Sequence, residues 1–189
     1  MLKIQSQKNF FILGILAIIF IAPVLMAIVF YHYRIPQNTI NHGALLKPPV
    51  AFTDMRLASS NTVDSEVDLH PFKQHWIMFY VHQAATCQER CVQNLYKMRQ
   101  IRLATGQDQL AIINILGNLS SDLDTNFQQL MKRSYPNIHY LHIVQLPPRI
   151  TPNHLYVIDP YGNIILQYAA DADPKHILHD FKRLLKVAQ

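Results

Sequence analysis

Hydrophobic positions divide the chain into one long apolar block and a series of shorter runs with distinct periods. From Phe10 to Phe30 no side chain is charged. At about 1.5 Å of rise per residue, a helix over this block crosses a hydrocarbon core of about 30 Å. Farther on, Trp76-Ile77-Met78-Phe79-Tyr80-Val81 and the stretch Leu110 to Leu116 are nearly continuous apolar runs, the pattern of strands buried on both faces. Between them Val92, Leu95, Tyr96, Met98, Ile101 and Leu103 recur at three- and four-residue intervals, interrupted by Lys97, Arg99 and Arg102. This predicts an amphipathic helix that stops at Gly106. Ser120 or Ser121 opens a second helix through Phe127, Leu130 and Met131, ending before Pro136. Ile138 to Val144 alternates as a strand, which puts His139 and His142 on opposite faces and away from any shared metal. Leu155-Tyr156-Val157-Ile158 and Ile164 to Tyr168 flank Asp159-Pro160-Tyr161-Gly162-Asn163, a hairpin turn. Asp173-Pro174 starts a last helix with Ile177, Leu178, Phe181, Leu184 and Leu185 on its apolar face. The order strand, helix, strand, helix, strand, hairpin, helix predicts an α/β sheet with parallel neighbours and a late antiparallel pair.

The apolar block reads as an uncleaved membrane anchor, because Ala27-Ile28-Val29-Phe30-Tyr31 offers no small-residue cleavage pattern. Gly14 and Pro23 are tolerated in such helices. Lys3 and Lys8 precede the block, and the nearest basic residues after it are Arg34 and Lys47. The bias favours a cytoplasmic amino terminus (1–9), an anchor (10–30) and a carboxy-terminal part across the membrane, periplasmic in a bacterium. Tyr31 to about Pro49 lacks periodicity and contains Pro36, Gly43, Pro48 and Pro49, so residues 31–55 are expected as an extended tether and 56–189 as one domain. Within the tether Asn41-His42-Gly43 is either a docking segment or an ordinary turn, and Val50 to Val67 supplies a hairpin or edge strand. A net charge of +5 comes from scattered basic residues, which argues against nucleic acid and for mild attraction to anionic lipid.

The candidate chemistry lies in Thr86-Cys87-Gln88-Glu89-Arg90-Cys91, which holds both cysteines of the 189-residue chain. Thr86 followed by Glu89 matches a capping box and places Cys87 in the first helical turn, four residues before Cys91 on the same face. The pair can close a disulfide or offer two soft thiolates to copper(I). The helix amino terminus and Arg90 favour the Cys87 thiolate, and Glu89 opposes them. A bridge this short makes a poor structural staple, because loop-closure models assign the least stabilisation to the shortest loops. The c-type haem pattern is absent, since Val92 follows Cys91, and there is no Walker loop or GxGxxG.

The cysteine pair at the amino end of the first helix after a central strand resembles a thioredoxin fold, and its three-residue gap resembles the Sco/SenC family of membrane-anchored copper chaperones for cytochrome c oxidase. The resemblance runs from about Trp76 to Gln189. It implies copper(I) binding by Cys87, Cys91 and a later histidine, for which His154 is the nearest residue, or reduction of the oxidase copper-binding subunit by the dithiol. The chain departs from the family in having Gln88 and Val92 where proline is usual, and Thr151 near the position of the metal histidine. The loop Leu146 to His154 contains Pro152, which is either the counterpart of the thioredoxin cis-proline or part of a rigid loop. Asn41-His42-Gly43, together with Leu95-Tyr96-Lys97-Met98-Arg99-Gln100-Ile101-Arg102, is similar to a group of proteobacterial single-span proteins associated with oxidase biogenesis.

These features give three expectations for the function. The first is a bacterial inner-membrane assembly factor that holds copper(I) through Cys87, Cys91 and His154 and meets oxidase subunits or other assembly factors. The second is a thiol-disulfide oxidoreductase, in which Cys87 attacks and Cys91 resolves. The third is a scaffold whose cysteines are dispensable.

Overall fold

The computed structural model describes residues 2–32, 41–59 and 62–187. The chain divides into two compact units, residues 1–40 and 41–189. In the first, α1 (Leu2–His32) contains the apolar segment Phe11–Phe30, the one helix among the described residues long and apolar enough to cross a membrane. Pro23 sits inside it without ending it.

The second unit is built on one eight-stranded sheet with the order β1-β8-β7-β4-β5-β6-β2-β3. The strands are β1 (Ala44–Ala51), β2 (Arg56–Ser59), β3 (Thr62–Glu66), β4 (Trp76–His82), β5 (Ile112–Asn118), β6 (Ile138–Gln145), β7 (His154–Ile158) and β8 (Asn163–Ala169). β4 is buried at every position, as its unbroken apolar run predicts. It pairs in parallel with β5, which pairs in parallel with β6, while β7 runs antiparallel to both β4 and β8. The expected α/β order is therefore the observed one. Gly162, at φ 88°, makes the turn between β7 and β8, a conformation that favours glycine.

Helices α2 (Glu89–Ala104), α3 (Thr125–Ser134) and α4 (Pro174–Val187) pack on the face that carries Met78 and Tyr80. Leu95, Met98 and Ile101 of α2, Phe127 and Met131 of α3, and Ile177, Phe181 and Leu185 of α4 form one buried cluster there. The opposite face, with Ile77, Phe79 and Val81, is covered by Phe52, Phe72 and Ile150 from short turns and loops.

Two boundaries differ from those read in the sequence. Residues 33–40 of the expected tether lie outside the described residues, but from Asn41 the chain is folded, and β1 forms where a tether to residue 55 was expected. Lys47, Pro48 and Pro49 obscured that strand. β1 lies at the sheet edge and pairs with β8 only at Ala44, Leu45, Val50 and Ala51, so its prolines fall in an irregular stretch where no ladder N–H is needed. The guanidinium of Arg149 donates to the Lys47 and Pro48 carbonyls at 3.0 and 2.6 Å. The second difference is the start of α3, which lies at Thr125 rather than near Ser120, because Asp124 supplies the cap by accepting from the Phe127 N–H at 2.7 Å.

Candidate functional site

Cys87 and Cys91 meet at the carboxyl end of β4, where the chain leaves the sheet for α2. They form a disulfide with a Cα separation of 5.2 Å, and no cysteine is free. This arrangement replaces the capping box expected at Thr86. α2 begins at Glu89 with Gln88 as its cap, and no side chain caps it. Cys87 therefore precedes the helix and reaches back toward Cys91. Two residues four apart within a helix are separated by about 6 Å of axial rise. The extended residue before the helix brings the Cα atoms into the middle of the bridgeable range of about 4.4–6.8 Å.

Tertiary contacts explain why Thr86 does not cap. Its carbonyl accepts from Nε2 of His82, the last residue of β4, at 3.0 Å. His82 is buried, stacks on Tyr80 and meets Phe127 edge-on, and its Nδ1 has no hydrogen-bond partner. Asn118, fully buried at the end of β5, donates to the Ala84 carbonyl at 3.0 Å, and the Asp124 N–H donates to Ala85 at 3.1 Å. The loop that carries Cys87 is thus held from β4, from β5 and from the start of α3. Glu89 accepts from Gln93 Nε2 at 3.1 Å, one helical turn on.

The two sulfurs differ in access. Cys91 is 2% exposed, whereas Cys87 is partly exposed. Beside them lies an open cleft of about 590 Å³, lined by Tyr80, His82, Thr86, Arg90, Cys91 and Asn153 among others. Burial pushes the Tyr80 phenol above its ordinary pKa, against the opposing effects of its hydrogen bond with Asn94 and the Arg90 charge. The phenol is therefore a neutral group at the cleft floor.

His154 opens β7 opposite Val81. Its Nδ1 lies 2.9 Å from the Pro152 carbonyl and 3.1 Å from Thr151 Oγ1. An Nδ1–H donated to that carbonyl leaves the Nε2 lone pair free, the arrangement by which a second hydrogen bond orients a metal-binding imidazole. Cys87 and Cys91 are bonded to each other, and among the described residues the donor group whose ligand atoms gather within 4.8 Å is His42, His179 and Asp180. Pro152 is not a cis-proline, since the cis bond among the described residues is Lys47–Pro48. The preceding loop is held otherwise. The Tyr156 hydroxyl contacts Thr151 at its N–H, carbonyl and Oγ1, and the Asn153 N–H donates to Val81 at 2.7 Å.

His82, Asn118 and Asn153 were not singled out from the sequence. His82 and Asn118 each end an apolar strand with a buried polar side chain, and that signal was available. Asn153, at φ 59°, carries a left-handed backbone that the sequence does not reveal.

No curated protein matches the chain. Among solved structures it is similar to apo Sco1 from Thermus thermophilus, at 14% identity and a TM-score of 0.55 over 78% of this chain and 99% of that one. It is also similar to a SCO1/SenC family lipoprotein from Bacillus anthracis, at 16% identity and 0.53 over 74% and 99%. Copper-bound ScoI from Arabidopsis thaliana aligns at 12% identity and 0.52 over 76% and 98%. These likenesses establish a shared thioredoxin-like Sco fold. The family model for the transmembrane-like, thioredoxin-like, C-terminal domain matches residues 76–188, more than half of the sequence and the whole path from β4 through the disulfide to α4, and the chain belongs to that family.

Proposed function

We propose that the protein is a membrane-anchored assembly factor for cytochrome c oxidase that handles copper(I) through the Cys87–Cys91 dithiol. One observation carries the reading: a cysteine pair, one sulfur buried and the other partly exposed, held beside an open cleft at the carboxyl end of the central strand. The disulfide offers no thiolate, so binding requires its reduction by two electrons from a partner dithiol, which itself becomes a disulfide. The two resulting thiolates suit copper(I), a soft ion, and His154 Nε2 is the third ligand. Copper is cargo in this scheme, passed on to an acceptor site. The fold shared with copper-bound Sco proteins supports the reading, and so does the similarity of Asn41-His42-Gly43 and Leu95 to Arg102 to the single-span proteins of oxidase biogenesis. On this account the amino terminus is cytoplasmic and the folded unit periplasmic at the bacterial inner membrane.

The unequal exposure of the two sulfurs also favours a second reading, thiol-disulfide exchange on the oxidase copper-binding subunit or its chaperone. There the exposed Cys87 attacks and the buried Cys91 resolves. His154→Ala separates the two, since it weakens copper binding in the first and leaves thiol exchange unchanged in the second. Both require the dithiol. In a host lacking the gene, the variant with Cys87→Ser and Cys91→Ser, expressed at the wild-type level, should fail to restore oxidase activity. Full restoration would leave only a scaffold role.

A further inference from the structure

The segment Asn41-His42-Gly43 closes a site that lies apart from the dithiol. Its backbone runs onto Asp180 of α4, with the His42 and Gly43 N–H groups donating to Oδ2 at 2.8 and 3.0 Å. The Tyr168 hydroxyl of β8 donates to the same oxygen at 2.8 Å. Gly43 is required by space: a Cβ there would lie 2.5 Å from Cζ of Tyr168. One carboxylate oxygen thus ties the entry of β1 to β8 and α4.

The other oxygen is left over. The Asp180 side chain is fully buried, and Oδ1 has no hydrogen-bond partner. Nδ1 of His179 approaches it at 3.5 Å, beyond a good hydrogen bond. A buried carboxylate oxygen without a donor costs free energy that native structures seldom leave uncompensated. The side chains around it are imidazoles. His42 lies flat on His176, with ring centroids 4.0 Å apart and planes within 2°, and it meets His179 edge-on at 5.4 Å. Ligand atoms of His42, His179 and Asp180 lie within 4.8 Å of one another.

We propose that His42, His179 and Asp180 form a divalent metal site, separate from the dithiol, that takes a zinc(II)-like ion through two imidazole nitrogens and Asp180 Oδ1. The donor set decides the class of ion. Two neutral imidazoles and a carboxylate, with a position open to solvent, match three-ligand zinc sites that keep a water. They lack the sulfur that favours copper(I). Donors about 2.0–2.1 Å from a tetrahedral ion lie about 3.4 Å apart, so the present separations need to close. His42 and His179 are exposed and held by ring contacts, while Asp180 is fixed by its three donors. These donors play the part of the outer hydrogen bonds that hold metal carboxylates in place. A bound ion would supply the missing partner of Oδ1 and fasten the start of the folded unit to α4.

The test is calorimetric titration of zinc chloride into the full-length, detergent-solubilised protein with the disulfide intact. One equivalent should bind with a Kd of about 10 µM or tighter. His42→Ala and His179→Ala should each weaken binding at least about tenfold, whereas His70→Ala and the double variant Cys87→Ser with Cys91→Ser should leave it within about twofold. Both site histidines are exposed, and circular dichroism is to check that their variants fold. Asp180→Asn serves as a further variant if it folds. Absence of a one-equivalent phase, or a phase that survives both His42→Ala and His179→Ala, overturns the proposal. Neither result bears on copper(I) at the reduced cysteines.

Discussion

Replacing Gly43 by alanine adds one methyl group where the structure leaves no room. The new Cβ would lie 2.5 Å from Cζ, 2.7 Å from Cε1 and 2.9 Å from the hydroxyl oxygen of Tyr168. Gly43 has no positive φ that would itself disfavour alanine, so the cost is one of space alone. The neighbour cannot yield cheaply. Tyr168 is 3% exposed, packs with the α4 side of the core, and is held at its far end by Asp180. Overpacking of a well-filled core costs about 1–3 kcal/mol. If the ring swings aside, it also loses a hydrogen bond to a charged group, about 1.5–3 kcal/mol. A total of about 2.5–6 kcal/mol lowers the melting temperature of a unit this size by about 5–24 °C, at about 2–4 °C per kcal/mol. Thermal unfolding followed by circular dichroism measures this, with Tyr168→Leu as the second arm of a double-mutant cycle. Gly43→Ala should cost far less in the Tyr168→Leu background, where the ring is gone. Equal costs in both backgrounds, or a shift below about 1 °C in the wild-type background, would refute the steric argument.

In the reduced protein, brief alkylation should modify Cys87 well before Cys91, which is 2% exposed; mass spectrometry of the digested protein checks this, and equal rates would show that the buried thiol is not protected. Burial, then the hydrogen bond and charge of Asp180, push the Tyr168 phenol far above its ordinary pKa of about 10. The folded state therefore keeps a proton that the unfolded state releases. The resulting stability is fully present below pH of about 10 and falls as pH rises further. Tyr168→Phe should flatten that alkaline decline in urea unfolding. Asp124→Ala removes the cap of α3 and should cost about 1 kcal/mol, read from the urea midpoint at unchanged m-value.

What the sequence made legible was set by local pattern. The unbroken apolar runs of β4 and β5, the turn at Asp159 to Asn163 and the apolar face of α4 announce themselves within a few residues, and together they imply parallel neighbours and a late antiparallel hairpin, but not the place of β1, β2 and β3. The cysteine pair was equally visible. Features fixed by distant partners were not. Thr86 and Glu89 satisfy the capping-box pattern, yet the Thr86 carbonyl is claimed by His82, and α2 starts later. β1 is hidden by Lys47-Pro48-Pro49, which reads as tether because an edge strand that skips a stretch of its ladder leaves no signature in the sequence. Asn41-His42-Gly43 had two readings until Asp180, at a sequence separation of 138 from His42, came into place beside it. For His154 the family resemblance implied a ligand, and the structure places its Nδ1 2.9 Å from the Pro152 carbonyl.

The central claim is that reduced Cys87 and Cys91 hold copper(I). Anaerobic titration of copper(I) into the reduced full-length protein, in competition with a chromophoric chelator, tests it most directly, with Cys87→Ser and His154→Ala measured alongside. The account predicts one tightly held copper(I) per chain, lost with Cys87→Ser and weakened with His154→Ala. Binding no tighter than that of the variant lacking both cysteines would contradict it, and would leave thiol-disulfide exchange as the chemistry of the pair.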